Sequence, residues 1–203
     1  MTKINKLVLG ALSENCYLIW NDETGEGYVV DPGCQAEKII HLIEAVKMKP
    51  RAVLLTHAHV DHIGAVPDIC SKYNIGVWIH PEERELYFSP ENELSPWMNA
   101  VQGLPEPLKE IPVVDGLDFK VIHTPGHTLG GVCYYFPKEK FILTGDTLFR
   151  GTYGRTDFPG GSEVQIFKSI KDALLTLPEE TIVYPGHEGS TNIGRERLNP
   201  DFA

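Results

Sequence analysis

Residues 56–62 read Thr-His-Ala-His-Val-Asp-His and place His57, His59, Asp61 and His62 within six positions. Imidazole and carboxylate are donors that divalent zinc and iron accept readily. The segment follows the apolar run 52–55, so one strand would deliver four donors to its own end. Three more candidates close short glycine turns. His127 follows Thr124, Pro125 and Gly126; Asp146 follows Leu143, Thr144 and Gly145; His187 follows Tyr184, Pro185 and Gly186. Glycine permits a sharp turn and close approach of backbone to a site, and loops at strand ends are where active sites tend to be built.

Seven donors exceed what one ion with an open position takes, and suit two ions sharing a bridge. A carboxylate can bridge because it has two oxygens, so Asp146 is the expected bridge. Asp61, Asp146 and a bridging hydroxide leave two dications with a net positive charge, available to a carbonyl oxygen or an anionic group. A structural zinc site would be closed and rich in cysteine. No cysteine stands at ligand spacing here, so the expected centre is catalytic, with Asp61 and Asp146 in it. His80 and His123 also lie at strand ends but have no glycine turn, and read as ordinary hydrogen-bonded histidines.

The elements that must position these donors alternate between strand and helix. Strands are expected at 16–20 and 28–30, then an amphipathic helix over 36–48 with Ile39, Leu42, Ile43 and Val46 on one face and His41 towards solvent. A strand after Pro50 ends at Thr56. A helix over 66–73 and a strand over 76–79 follow. Further strands are expected at 119–122, 132–136, 141–144 and 181–184. The helix over 162–177 opens with Ser162 as N-cap and Gln165 completing a capping box. The early hairpin-like spacing argues against a purely parallel sheet. Between 88 and 112 five prolines break the rhythm, which suggests a lid or binding loop with Trp97 at its centre.

The length of 203 residues suits one domain over 1–203, and the 42% apolar fraction can bury a core. A formal charge of −10 with no Lys/Arg cluster argues against a nucleic-acid partner. The four cysteines, Cys16, Cys34, Cys70 and Cys133, are irregularly spaced and read as small apolar fillers in a reduced compartment. The apolar stretch 7–12 is too short for a signal peptide or a membrane span, so a cytoplasmic location without membrane partners is expected.

The pattern His57-x-His59-x-Asp61-His62, with His127, Asp146 and His187 downstream, resembles the metallo-β-lactamase superfamily. That resemblance implies an α+β fold: a four-layer αββα sandwich of two mixed sheets with helices outside and a dinuclear site on one edge. It implies that His57, His59 and His127 hold the first metal, that Asp61, His62 and His187 hold the second, and that Asp146 bridges. The ions would be zinc, with iron and manganese accepted by the same donors.

Inside the superfamily, Thr144 to Phe149 and the turn 184–188 look most like glyoxalase II-type hydrolases, thioesterases that split hydroxyacylglutathione. Thioester chemistry suits the donors, because a thiolate of pKa about 8.5 departs without a strong general acid. Asp31 reads as an acceptor for the N–H of a ligand imidazole. Arg155 matches the basic residue of the glutathione loop, with Trp97 as a second substrate-binding candidate. Asp157 stands where the family has a tyrosine, and Gly189 where it often has another. Longer members continue into a helical domain, whereas sixteen residues follow His187 here, so the likeness is to the short bacterial forms. Persulfide dioxygenases offer an alternative resemblance through residues 154–158. They use one iron held by residues matching His57, His127 and Asp146, a two-histidine, one-carboxylate triad. A metal-storing scaffold is a third, non-enzymatic reading, and would leave open coordination positions unused.

Overall fold

The computed structural model describes residues 1–93 and 98–202. Trp97 lies outside the described residues, and the lid expected around it is untested.

Two five-stranded sheets carry the site. The first has β1 (Thr2–Leu9), β2 (Glu14–Asn21), β3 (Glu26–Val30), β4 (Lys49–Leu54) and β5 (Gly76–Trp78) in that spatial order. β1, β2 and β3 pair antiparallel, whereas β3, β4 and β5 run parallel. The second contains β6 (Lys120–His123), β7 (Val132–Phe136), β8 (Phe141–Gly145), β11 (Ile182–Pro185) and β12 (Thr191–Asn192), in the order β12-β11-β8-β7-β6. Only β8 and β11 are parallel there, so both sheets are mixed. A small ribbon joins β9 (Leu148–Phe149) to β10 (Thr152–Tyr153).

Side-chain alternation along the strands decides the layering. Tyr17 and Ile19 of β2 face Tyr134, Phe136 and Leu143 of the second sheet, and form the core between the sheets. Leu18 and Trp20 face the other way, against Ile39 and Ile43 of α1 (Ala36–Ala45) and Val66 and Ile69 of α3 (Val66–Tyr73); the short α2 (Val60–Ile63) precedes α3, and α4 (Arg84–Phe88) follows β5. On the far side, Cys133, Tyr135 and Ile142 pack under Ile166 of α5 (Glu163–Ser169) and under Ile170 and Leu174 of the π-helical turn that continues it. The resulting order is helix, sheet, sheet, helix, the αββα sandwich that the motif implied.

Several expected elements have different bounds. β1 was not expected as a strand: its residues are half-exposed along an edge, so the alternation is weak. The helix at 36–48 ends at Ala45, and Lys47 takes a positive φ of 55° before β4 begins. Ser162 does cap α5, its Oγ accepting from Gln165 N at 3.3 Å. The reciprocal half of the box is not made, because the Ser162 N–H donates to Gly126 O at 2.7 Å.

The parallel strands set the rim. β3, β4, β8 and β11 all run out at one edge of the sandwich, the usual place for a site in sheets with parallel pairs. Cross-sheet bonds lock that edge. Val132 N donates to Thr56 O at 2.9 Å, Asn15 N to Gly186 O at 2.7 Å, and the Tyr134 hydroxyl to Leu55 O at 2.6 Å. No helix among the described residues is long and apolar enough to cross a membrane.

Candidate metal centre

Asp31 follows β3 directly and organises the donors that follow β4. It adopts a positive φ of 49°, a conformation Asp tolerates better than most residues. Its Oδ1 accepts from Thr56 N at 2.7 Å and its Oδ2 from the Thr56 hydroxyl at 2.6 Å. With that hydroxyl donating to Asp31, its oxygen is left to accept from His57 Nδ1–H, 3.1 Å away. Asp31 Oδ2 also lies 3.2 Å from His62 Nδ1. One carboxylate therefore orients two imidazoles, one directly and one through a hydroxyl, and points both Nε2 atoms away from itself.

Backbone carbonyls do the same for two other rings. His127 Nδ1 faces Arg155 O at 2.7 Å, and His187 Nδ1 faces Leu12 O at 3.1 Å. An N–H at each Nδ1 satisfies those carbonyls and leaves Nε2 as the lone-pair nitrogen. His59 Nδ1 meets His127 Nε2 at 2.9 Å.

The seven predicted donors come together in overlapping sets. His57, His59 and His127 form one, Asp61, His62 and His187 another, and His57, His62 and Asp146 a third that joins them; within each set the donor atoms lie within 4.8 Å of one another. Asp146 Oδ1 lies 3.4 Å from His62 Nε2, while its Oδ2 lies 3.7 Å from His127 Nε2 and 3.6 Å from His187 Nε2. Asp61 Oδ2 is 3.3 Å from His187 Nε2. Gly186 makes this convergence possible: a Cβ there would sit 2.3 Å from Asp146 Oδ1 and 2.8 Å from the His62 ring. Gly126, at φ 136°, likewise admits no side chain beneath α5.

The sets differ in charge. Burial, then the neighbouring imidazoles, push His57 well below the usual histidine range, and burial with His127 pushes His59 down to about 3. Burial also lowers His127. All three are neutral rings offering lone pairs. For His62 burial acts in the same direction, but Asp146 and Asp61 outweigh it and raise it well above the usual range. For His187 the hydrogen bond it donates to Asp61 and the charge of Asp146 outweigh burial in the same way.

The donor chemistry fits metal ions. His57 Nε2, His62 Nε2 and Asp146 Oδ1 are buried and have no hydrogen-bond partner among the described residues. A buried polar atom left alone costs about 1–3 kcal/mol, and three converging on one cavity are what a cation would satisfy. Asp146, with His59, Asp61, His127 and His187, borders a cleft of about 830 Å³ that Leu12, Phe149 and Phe158 also line, with Glu93 and Arg155 at its wall. Arg155 is committed locally: Nε and Nη2 each donate to Asp157 at 2.7 Å, and the guanidinium lies 3.8 Å over the Phe158 ring.

Positioning residues outside the motif were not foreseen. Glu83 is 1% exposed, and its carboxylate accepts from Ala58 N at 2.9 Å and from Gly130 N at 2.7 Å. It thus ties the His57–His59 loop to the loop bearing His127. Asn15 Nδ2 donates to Pro185 O at 2.9 Å and to Glu188 O at 3.0 Å, and the Tyr17 hydroxyl donates to Pro185 O at 2.7 Å, holding the turn that carries His187. Glu14 is buried nearby with both oxygens unpartnered among the described residues, and burial pushes its carboxyl well up. None of these has a sequence signal of its own, because each acts on backbone atoms brought close only by the fold.

Two mixed sheets between helices, with histidines and aspartates converging at a shared rim, define a metal-centred αββα protein. The chain belongs to the metallo-beta-lactamase superfamily, whose family model matches residues 9–187. It is a metal-dependent hydrolase of that superfamily. Hydroxyacylglutathione hydrolase GloC of Haemophilus influenzae is 37% identical, over 95% of this chain and 93% of that protein. The solved structure of BLEG-1 B3 metallo-beta-lactamase is 36% identical, covers 99% of this chain and all of that one, and superposes with a TM-score of 0.90. TTHA1623 in a di-iron-bound form is 38% identical, covers 98% and 100% of the two chains, and has a TM-score of 0.85.

Proposed function

We propose that this protein is a thioesterase of glyoxalase II type, acting on hydroxyacylglutathione or a related small thioester through two divalent ions. One observation supports the two-ion reading: Asp146 lies between the two donor sets, 3.7 Å from His127 Nε2 of the first and 3.4 and 3.6 Å from His62 Nε2 and His187 Nε2 of the second. In this reading His57, His59 and His127 hold one ion, Asp61, His62 and His187 hold the other, and Asp146 serves both. Zinc is the expected ion; the di-iron form of TTHA1623 supports iron as an accepted one. When bound, such ions would supply an ionised solvent molecule at neutral pH and a Lewis acid for the carbonyl oxygen.

The residues of the chain do the rest. Asp31, Thr56, Arg155 O and Leu12 O hold the imidazoles in the tautomer that presents Nε2. Leu12, Phe149 and Phe158 offer an apolar wall to the acyl or thiol chain and displace water from beside the scissile bond. A thiolate leaving group of pKa about 8.5 departs without a proton donor, which agrees with a cleft wall whose one arginine is already paired to Asp157. The 37% identity to GloC, over nearly the full length of both chains, supports the thioester substrate. Arg155 is the substrate-contact candidate.

Metal content and turnover measured together test this. The expected result is two equivalents of metal with hydrolysis of S-lactoylglutathione. One iron per chain with oxygen uptake on glutathione persulfide would replace the reading with the mono-iron alternative. Hydrolysis of a β-lactam but of no thioester would retain the centre and overturn the substrate.

A further inference from the structure

We propose that His80, Glu82 and His123 form a separate surface site for one divalent transition-metal ion of the zinc, copper or nickel type. One ring nitrogen of each histidine and a carboxylate oxygen of Glu82 lie within 4.8 Å of one another. The two rings stack with centroids 4.2 Å apart and planes 15° from parallel. Glu82 Oε2 lies 3.7 Å from His123 Nε2. Two imidazoles with a single carboxylate are a donor set for borderline transition metals, whereas magnesium and calcium take oxygen ligands.

The backbone beneath the cluster is held from both sides. His80 caps the 3-10 turn Pro81–Glu83, its Nδ1 accepting from Glu82 N at 3.4 Å. The next residue, Glu83, is buried and bonded to Ala58 N and Gly130 N. His123 closes β6 in register with Val132. The donors are therefore preorganised at their Cα positions, and only the side-chain ends must move. Room for that movement exists, because the side chains of Glu82 and His123 are 62% and 36% exposed. His123 Nε2 faces Leu129 O at 2.9 Å, so an ion takes the ring through Nδ1 or displaces that contact.

Electrostatics favour an ion over a second proton. Two protonated rings stacked this closely would repel each other, and among the described residues Glu82 supplies the carboxylate of the cluster. Burial, then His123, lower the pKa of His80, which keeps the ring neutral; an ion takes it either at Nδ1, displacing the long contact from Glu82 N, or at Nε2 after a change of tautomer. Three protein donors leave positions to water, and the affinity should be weaker than that of the buried centre. Glu82 and Glu83 share one turn, so an ion here would hold the turn from which Glu83 ties the loops of His57 and His127 together.

Calorimetric titration of the full chain with Zn²⁺ tests the proposal. The wild type should take up one more ion than the His80→Ala/His123→Ala double variant. This difference does not depend on how many ions the buried centre takes, so it stands or falls separately from the dinuclear reading. Glu82→Gln should keep the extra ion with affinity reduced about tenfold or more. Identical counts and affinities in wild type and double variant would overturn the site. A measurement on the wild type alone guards against a variant that does not fold. Substoichiometric Cu²⁺ added to the zinc-loaded protein should broaden the ring resonances of His80 and His123 before those of exposed His41. Equal broadening of all three would overturn it as well.

Discussion

The two halves of the buried centre use the same imidazoles in different electrostatic settings. His57, His59 and His127 are neutral rings whose protonation is opposed by burial and by one another. His62 and His187 lie beside Asp61 and Asp146 and hold their protons more tightly than an ordinary histidine. Their supports differ too. Asp31 serves both halves, reaching His57 through Thr56 and His62 directly, but only the three-imidazole half leans on Glu83, whereas the carboxylate half borrows a β11 turn pinned by Asn15 and Tyr17. The difference teaches that a motif of like donors need not give two like sites: the carboxylates decide which half competes with protons.

Substitutions can break that distinction. The largest effect is expected at Asp146, the residue both halves share. Asp146→Asn should lower turnover about a hundredfold to a thousandfold, the scale of removing one preorganised electrostatic group, and weaken both ions in a metal-binding assay. Loss of only one ion would mean that Asp146 serves a single half. His187→Ala should remove one ion and most turnover while the three-imidazole half stays loaded; near-normal turnover would refute a role for the second ion.

Acidification should separate the halves in the metal-free protein without mutation. His62 and His187 should keep their protons to higher pH than an ordinary histidine, while His57, His59 and His127 stay neutral. Ring resonances followed by NMR on the metal-free protein from about pH 8 downward check this, and all these rings titrating together would contradict it.

Two smaller effects sharpen the comparison. Glu83→Gln places an amide N–H₂ against backbone N–H donors, so about 1–3 kcal/mol of metal-free stability should be lost. The three-imidazole half should also bind about tenfold more weakly, with the other half unchanged; equal weakening of both would make Glu83 a general strut. Arg155→Ala should be the mildest. Its side chain is exposed and paired with Asp157, so KM for a thioester with an anionic tail should rise a few-fold, on the scale of a surface ion pair, while kcat holds. A change confined to kcat would place Arg155 near the reacting atoms.

Much of the architecture could be read from pattern. The helix over 66–73 and the strand over 132–136 match α3 and β7 residue for residue, because each has a clean apolar period and a clear punctuation by Pro67 or Gly131. β1 escaped because an edge strand with half-exposed residues has little alternation to detect. The capping box failed in its second half because a tertiary acceptor, Gly126 O, took the Ser162 N–H.

What the sequence determined by itself was the donor inventory and its delivery: histidines and aspartates placed just past apolar runs, behind glycines that allow tight turns. Those are local properties of type and spacing, and they survive any arrangement of the strands. Tertiary structure alone decided that Asp31 would serve His57 and His62 together, that Glu83 would reach across to Ala58 and Gly130, and that His80 would stack on His123. These contacts join residues 25 to 47 positions apart, as with Asp31 and Thr56 or Glu83 and Gly130. For Glu83 the partners are backbone amides, which every residue except proline carries, so no choice of side chain marks that tie; for Asp31 and for His80 the residue types were legible but their partners were set only when the sheets met.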